Sequence, residues 1–393
     1  MINRLLTIKN NRSFFLFGPR QTGKTTYINR QIEGKKALAI NLFLSSEYAK
    51  FLTNPQSFEH ELDYAILQQQ VTTIFIDEIQ RIPELLNIVH VFIEKYKNVH
   101  FIISGSSARK LKREGANMLA GRALSYKMHP FSYEEIQSRS PALNDILAFG
   151  LIPPVFLSPN KEDKIEMLRS YINTFIHEEI EVEARIRRLD SFFRFLQVAG
   201  HENGNILNFS KIGKDVGTNY NTVKDYFQIL EDCLIGFFLY PFVRSKRKRI
   251  SKHPKFYFFD TGVVRAITKR LTVTLTPLDP DYGHLFEHFV ILEIMKLADN
   301  NRLDLDLSYF RTEKGMEIDL VIETPDRQLI ACEIKSTSSP TSEHLNALRY
   351  FQKDHPNSKC YLISNIVRPQ QIDGINIIPW QQISAMFIPL ASN

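Results

Sequence analysis

The chain has 393 residues, of which 44% are hydrophobic and 23% charged, with a formal net charge of +6 and a pI near 9.0. That composition is ordinary for a soluble globular protein of two to four domains, and the mild positive balance permits an anionic partner. No apolar run reaches the length of a membrane span, the opening MINRLLTIKNNR lacks a signal-peptide core, and Cys233, Cys332 and Cys360 have no metal-like spacing, so a cytoplasmic, reducing location is expected.

Ser13 to Phe17 is a short apolar run that predicts a buried strand. It leads into GPRQTGKTT, Gly18 to Thr26, which fits G-x-x-x-x-G-K-[ST] at Gly18, Gly23, Lys24 and Thr25. Thr26 to Gln31 then continues as a helix. Strand, glycine loop and helix in this order let backbone N–H groups curl around phosphate oxygens, and the helix start adds about half a positive charge. Gly18, Pro19, Arg20, Gln21, Thr22, Gly23, Lys24, Thr25 and Thr26 are therefore the candidate nucleotide contacts. Lys24 neutralises the β/γ-phosphates and the Thr25 hydroxyl ligates Mg²⁺, with ATP as the expected nucleotide.

Lys36 to Leu42 predicts a second strand, and Leu44 to Phe51 a helix that Asn54-Pro55 breaks. Leu62, Ala65, Ile66 and Leu67 give Glu59 to Gln70 helical spacing. Ile74-Phe75-Ile76 reads as a strand covered on both faces, with Asp77 and Glu78 at its C-terminal end, the edge where open α/β sheets bind ligands. Asp77 is then expected to face Mg²⁺, and Glu78 to polarise the attacking water. Val99 to Ile103 is another buried strand. Ser104, Ser106 and Ser107 follow it as candidate γ-phosphate sensors. Arg109 and Arg122 are either surface arginines or fingers offered to a neighbouring subunit's nucleotide, which would require a homo-oligomer.

GPRQTGKTT, IFIDEIQ, SGSSARKL, LAGR and HPFSYEE, in this order, resemble the prokaryotic AAA-type ATPases that carry an uncharacterised C-terminal domain. The resemblance runs over nearly the whole chain. It implies an ATP-binding AAA+ module in which Lys24, Thr25, Asp77 and Glu78 work, in agreement with the reading from the residues.

Pro130 to Gln137 and Pro153-Pro154 break the pattern and mark a boundary. Lys161 to Leu196 reads as long, charged and helical, with Met167, Leu168, Tyr171, Ile172, Phe175, Ile176 and Ile180 at three- and four-residue intervals. Glu178, Glu179, Glu181, Glu183, Arg185, Arg187 and Arg188 suit a solvated face or a subunit contact. Asn208 to Phe238 reads as helix–turn–helix. Ser210 is the expected cap, Gly217 the stop, and Val223, Tyr226, Phe227 and Leu230 the buried face. The opposite face carries Thr222, Lys224, Asp225, Gln228, Glu231 and Asp232. That acidic surface suits a structural or oligomerising winged helix better than one that reads bases. Seven of the twelve residues from Arg244 to Lys255 are Lys or Arg, with no acid interleaved. The expected geometry is a wing hairpin contacting phosphate backbone without reading sequence, so DNA is the expected partner.

Gly283 to Asp299 predicts an amphipathic helix carrying Glu287. GMEIDLVIE and LIACEIKST predict two strands joined by a turn at Pro325-Asp326-Arg327. Asp319 lies on the first strand, and Glu333 and Lys335 share one face of the second. His344 to Phe351 predicts a following helix. Carboxylates of this kind hold Mg²⁺ by oxygen, and a lysine beside them assists the nucleophile. Glu287, Asp319, Glu333 and Lys335 resemble, position by position, the active site of the PD-(D/E)XK restriction-endonuclease-like superfamily, with Asp319 and Glu333 as the implied metal ligands.

The predicted fold is α/β. It comprises a P-loop AAA+ parallel sheet over 1–137, a helical linker over 138–200, a winged helix with a basic wing over 201–262, and a restriction-endonuclease-like domain over 263–393. Two functions are compatible with it. One is an ATP-hydrolysing protein that acts on DNA through a Mg²⁺-dependent nuclease-like domain. The other is a regulatory ATPase switch whose C-terminal domain is a non-cleaving DNA- or protein-binding platform. A metabolite kinase is disfavoured, because nothing after the phosphate loop reads as an acceptor lid.

Overall fold

The computed structural model describes residues 2–9, 11–106, 119, 121–176, 189–243 and 253–390. Two sheets organise the chain. The N-terminal sheet holds β1 (Phe14–Phe17), β2 (Ala37–Asn41), β3 (Thr73–Asp77), β4 (His100–Gly105) and β5 (Leu124–Lys127), in the spatial order β2-β3-β4-β1-β5. All of its pairings are parallel. Alternation along the strands builds two cores, because successive side chains leave opposite faces. Phe15, Phe17, Ile74, Ile76, Phe101 and Ile103 pack together on one face. Phe14, Leu16, Phe75 and Ile102 pack on the other, with Ile28 of the helix Lys24–Ile32 and Leu6 of the N-terminal segment. Burial on both faces explains why β1 and β3 read as continuous apolar runs.

The second sheet is mixed and has eight strands: β6 (Gly236–Pro241), β7 (Lys255–Phe258), β8 (Asp306–Arg311), β9 (Glu317–Glu323), β10 (Leu329–Lys335), β11 (Lys359–Ser364), β12 (Gln370–Ile372) and β13 (Ile375–Pro379). Their order is β12-β13-β11-β10-β9-β8-β6-β7. The predicted strand pair is β9 and β10, antiparallel, with Ile330 opposite Ile322 and Cys332 opposite Leu320. β6 joins β8 in parallel through Tyr240–Ser308 and Pro241–Tyr309. The expected division at 262/263 therefore falls inside a continuous sheet, and one core cluster runs from Phe131 to Phe387 across it.

Between the sheets lie shorter helices than expected. Lys161–Ser170 is α-helical, Tyr171–Ile176 is a π-helical turn and Leu189–His201 is α-helical. The acidic and basic group at 178–188 lies outside the described residues. The predicted helix–turn–helix is present as Phe209–Val216 and Tyr220–Asp232, and Gly217 ends the first helix at φ 73°. Its N-cap is Asn208, not Ser210: the Asn208 side chain accepts from Lys211 N at 3.0 Å. Asn caps as well as Ser, and Ser210 lies two positions further on, inside the first turn of the helix. Val223, Tyr226, Phe227 and Leu230 are buried as expected. Glu231 does not lie on the open face. It is half-buried and accepts from Phe238 N at 3.1 Å, and burial raises its pKa.

Candidate nucleotide site and C-terminal carboxylate cluster

The loop after β1 closes over itself. Gly18 sits so near the segment after β5 that a Cβ would lie 2.2 Å from Met128 O. Gly23 takes φ 91°, which admits glycine at no steric cost. Gly23 starts the helix Lys24–Ile32 with no side-chain cap, and no acid lies in the first turn. The exposed N–H groups and dipole thus point into the loop. Lys24 is buried, and its Nζ donates to Gly18 O at 2.7 Å and Pro19 O at 3.0 Å.

β3 delivers Asp77 to the same place. Thr25 Oγ1 donates to Asp77 Oδ2 at 2.8 Å, and Ser104 Oγ donates to Asp77 Oδ1. Glu78 follows with a left-handed φ of 60°, a conformation that costs a non-glycine residue about 1 kcal/mol or more and is held by its surroundings. Gln80 Nε2 bridges Glu78 Oε2 at 2.6 Å and Ser106 Oγ at 2.8 Å. Arg20, Gln21, Thr22, Gly23, Lys24, Thr25, Thr26 and Glu78 line an open cavity of about 1140 Å³, whose apolar wall includes Ile2, Tyr27, Phe131 and Pro153. These residues fit a nucleoside triphosphate with Mg²⁺: an uncapped helix start and an ammonium face the phosphate position, and a hydroxyl–carboxylate pair offers oxygens to the ion.

Of the remaining candidates, Ser107 and Arg109 lie outside the described residues. Arg122 does not line the cavity. It pairs with Glu94, and with Lys97 it holds that exposed carboxyl down at about 2. Sequence reasoning missed Gln80 and Arg4. Arg4 lies under the loop with its side chain 10% exposed. Its Nη2 donates to His129 O at 2.5 Å, its Nη1 to Thr22 O at 3.4 Å, and its Nε lies 3.1 Å from Glu135 Oε1. No motif marks an arginine at position 4. The Ser132–Glu135 capping box that receives it was the only nearby signal.

The stretch 129–135 is held from its other side by the helix Pro280–Asn300. His129 Nε2 lies 2.7 Å from Asp299 Oδ2, Lys296 Nζ donates to Phe131 O at 2.8 Å, and Tyr133 N donates to Glu293 Oε2 at 2.6 Å. That helix carries Glu287 near its start.

Glu287, Asp319, Glu333 and Lys335 do meet. Lys335 Nζ lies 2.6 Å from Glu333 Oε1 and 3.4 Å from Asp319 Oδ2, and Ile334 N donates to Asp319 Oδ2 at 2.8 Å. Glu333 Oε2 is buried with no hydrogen-bonding partner among the described residues. Burial first, and the Asp319 charge second, push the Glu333 pKa up to about 8 against the pull of Lys335. Burial and Asp319 also raise the Glu287 carboxyl, opposed by Lys255.

Lys255 corrects an expectation. It closes the basic run in the sequence, yet it is 3% exposed and unavailable to a phosphate backbone. Its Nζ lies 2.6 Å from Glu317 Oε1 and 3.4 Å from Glu287 Oε1. Burial pulls its pKa down, but the carboxylates of Glu287, Glu317 and Asp319 outweigh burial and hold it above the ordinary value. Residues 244–252 of the run lie outside the described residues; β6 and β7, which flank them, pair antiparallel. Among the described residues no group of three or more His, Cys, Asp or Glu is placed to hold a metal ion, and no helix is long and apolar enough to cross a membrane. Asp319 and the unpartnered Glu333 Oε2 are nonetheless hard oxygen donors that fit one Mg²⁺, an ion commonly held by one or two carboxylates with water and phosphate.

A parallel sheet whose first strand feeds a glycine loop, with Thr25 and Ser104 locked on Asp77, defines a P-loop nucleotide-binding module on an α/β fold. Residues 10–137 match a family described as an AAA domain. Residues 140–273 and 282–383 match two domains of unknown function (DUF8612 and DUF4143). The chain is 28% identical over 332 residues to an uncharacterized protein of Mycobacterium tuberculosis, covering 83% of this chain and 70% of that one. It is 24% identical over 394 residues to an uncharacterized protein of Haemophilus influenzae, covering 92% and 91%. Among solved structures it overlaps the replication initiator DnaA bound to AMPPCP and single-stranded DNA at 13% identity and a TM-score of 0.28, over 56% of this chain and 82% of that one. It also overlaps a signal transduction ATPase, PH0952 of Pyrococcus horikoshii, at 11% identity and a TM-score of 0.22, over 75% and 47%.

Proposed function

We propose that the chain is an ATP-hydrolysing protein that works on DNA, with nucleotide turnover at the N-terminal module and a Mg²⁺-dependent nuclease-like site in the C-terminal domain. The observation that carries the ATPase reading is the Thr25–Asp77–Ser104 link across the end of the parallel sheet. Lys24 and the loop N–H groups bind and orient the phosphates. Thr25 and Asp77 hold Mg²⁺, which supplies neutralisation of the phosphate charge when bound. Glu78, oriented by Gln80, accepts a proton from the attacking water.

DNA contact rests on the sequence of the basic run, Arg244 to Lys252, which lies outside the described residues. The C-terminal role rests on Asp319 and Glu333 as oxygen donors for Mg²⁺, with Glu287 and Lys335 beside them. Residues 1–137 are assigned to the ATPase part and 138–200 to the linker, while 201–262 and 263–393, which share the mixed sheet, are assigned to the winged-helix and nuclease-like parts of one unit. A homo-oligomer follows if Arg109, or Arg122 released from Glu94, reaches a neighbour's nucleotide. A cytoplasmic location follows from the sparse cysteines.

Lys255 and Lys335 fill much of the carboxylate cluster, and this favours a second reading, the regulatory switch with a non-cleaving platform. Purified protein separates the two. Mg²⁺-dependent DNA cleavage lost in Glu333→Ala and kept in Lys24→Ala supports the nuclease. ATP hydrolysis without cleavage of linear, branched or single-stranded DNA supports the switch. Charge reversal of Arg247, Lys248 and Arg249 should weaken DNA binding and flatten its salt dependence, and an unchanged slope contradicts phosphate contact there.

A further inference from the structure

The two sides of the carboxylate cluster are unlike. On the Glu287–Glu317 side, Glu287 Oε1 and both oxygens of Glu317 are met by protein donors. Lys255 Nζ reaches both acids at 3.4 and 2.6 Å, the Tyr257 hydroxyl donates to Glu287 Oε1 at 2.6 Å, and Arg311 Nη1 meets Glu317 Oε2 at 3.4 Å. Lys255 cannot easily swing away. Its side chain is 4% exposed, its ammonium faces the Tyr309 ring at 5.5 Å, and its backbone is paired with Leu239 in β6. The Tyr309 hydroxyl is itself tied to His253 O at 2.6 Å. On the Asp319–Glu333 side, Glu333 Oε2 is buried without a partner among the described residues, and Lys335, which meets Glu333 Oε1 at 2.6 Å and Asp319 Oδ2 at 3.4 Å, has a side chain 35% exposed against 4% for Lys255.

We propose that Lys255 is a built-in second cation of this cluster, so that the site takes one divalent ion, at Asp319 and Glu333, and excludes a second beside Glu287 and Glu317. This rests on the reading of the cluster as a metal site. Two-metal sites need ions about 4 Å apart sharing carboxylates. A buried ammonium bonded to two of the four acids fixes a positive charge on that side and repels a further double charge.

The test is a Mn²⁺ titration of nucleotide-free full-length protein carrying Asp77→Asn to silence the phosphate loop, with bound ions counted by calorimetry and electron paramagnetic resonance. One ion is expected, lost in Glu333→Gln and unchanged within twofold in Glu317→Gln. Lys255→Met should admit a second ion. If that variant does not fold, Lys255→Met with Glu287→Gln removes one stranded acid and should bind at least tenfold more tightly than Glu287→Gln alone. Two ions in the parent protein, or a tenfold loss in Glu317→Gln, overturn the inference and leave the metal reading standing. No ion in the parent or in either Lys255 variant overturns the metal reading itself.

Discussion

Thr25 and Asp77 are 52 residues apart in the chain and 2.8 Å apart in the fold, the hydroxyl donating to Oδ2. The contact joins the helix after the phosphate loop to the end of β3, and Ser104 secures the other carboxylate oxygen from β4. Two parallel strands and the helix after the loop therefore deliver one pre-set oxygen cluster beside Lys24. Such preorganisation is how phosphoryl-transfer sites stabilise developing charge without rearranging at the moment of reaction.

Glu78 is held by Gln80 at 2.6 Å in a backbone conformation few glutamates adopt. Glu78→Gln should bind ATP as well as the parent does, because the loop and Asp77 are untouched. Its turnover should fall by about 10²–10⁴, the usual worth of a positioned proton acceptor. Equilibrium binding of a fluorescent ATP analogue beside steady-state turnover checks the split. Equal losses of both would assign Glu78 to binding instead.

Arg4 joins the loop carbonyl of Thr22 to the segment 129–135, which the helix Pro280–Asn300 holds from its other side. Its partner Glu135 has a fully buried side chain. Removing one member of a buried pair strands the other, at about 3–5 kcal/mol. Arg4→Ala should lower the unfolding free energy read from urea titration by that order, with the midpoint falling accordingly, and weaken ATP binding as well. Arg4→Lys should recover only part of both, since an ammonium cannot span the two carbonyls and the carboxylate together. A wild-type midpoint in Arg4→Ala would remove the link.

The pH dependence of stability has two arms. Glu333 titrates at about 8 in the folded chain against an ordinary 4.5, so its neutral form is the favoured one on folding. That contribution is fully present below about pH 4.5 and is lost as pH rises through about 8. His288 runs the other way. Burial lowers it from 6.5 to about 4, so its contribution is present above 6.5 and is lost as pH falls through about 4. Urea midpoints across this range should fall at both ends. Glu333→Gln should flatten the alkaline arm alone, and an alkaline arm unchanged in that variant would contradict the assignment.

The nucleotide site was legible because its chemistry is local: the loop motif fixes Gly18 to Thr25, and an apolar run ending in Asp77-Glu78 marks its partner strand. β5 was not legible, since only Tyr126 of Leu124–Lys127 is buried and four residues carry no period. Gln80 looked like one more polar residue after the acids. Its role arises from the turn that folds it back against Ser106. At the C-terminal site Glu333 and Lys335 could be read from their spacing along one strand. Lys255 could not, because its partners Glu287 and Glu317 lie on other elements, and its sequence neighbours made it look like one more surface cation. The basic run is therefore shorter than its sequence suggests, and the carboxylate cluster better neutralised.

The most direct check is steady-state ATP turnover by the purified full-length chain with Mg²⁺, measured for the parent and for Lys24→Ala. Lys24 Nζ bonds two loop carbonyls and faces the phosphate position, so its loss should take turnover to background, at least about 10²-fold down, with secondary structure by circular dichroism unchanged. Undiminished turnover in Lys24→Ala would contradict the assignment of this loop as the site of hydrolysis.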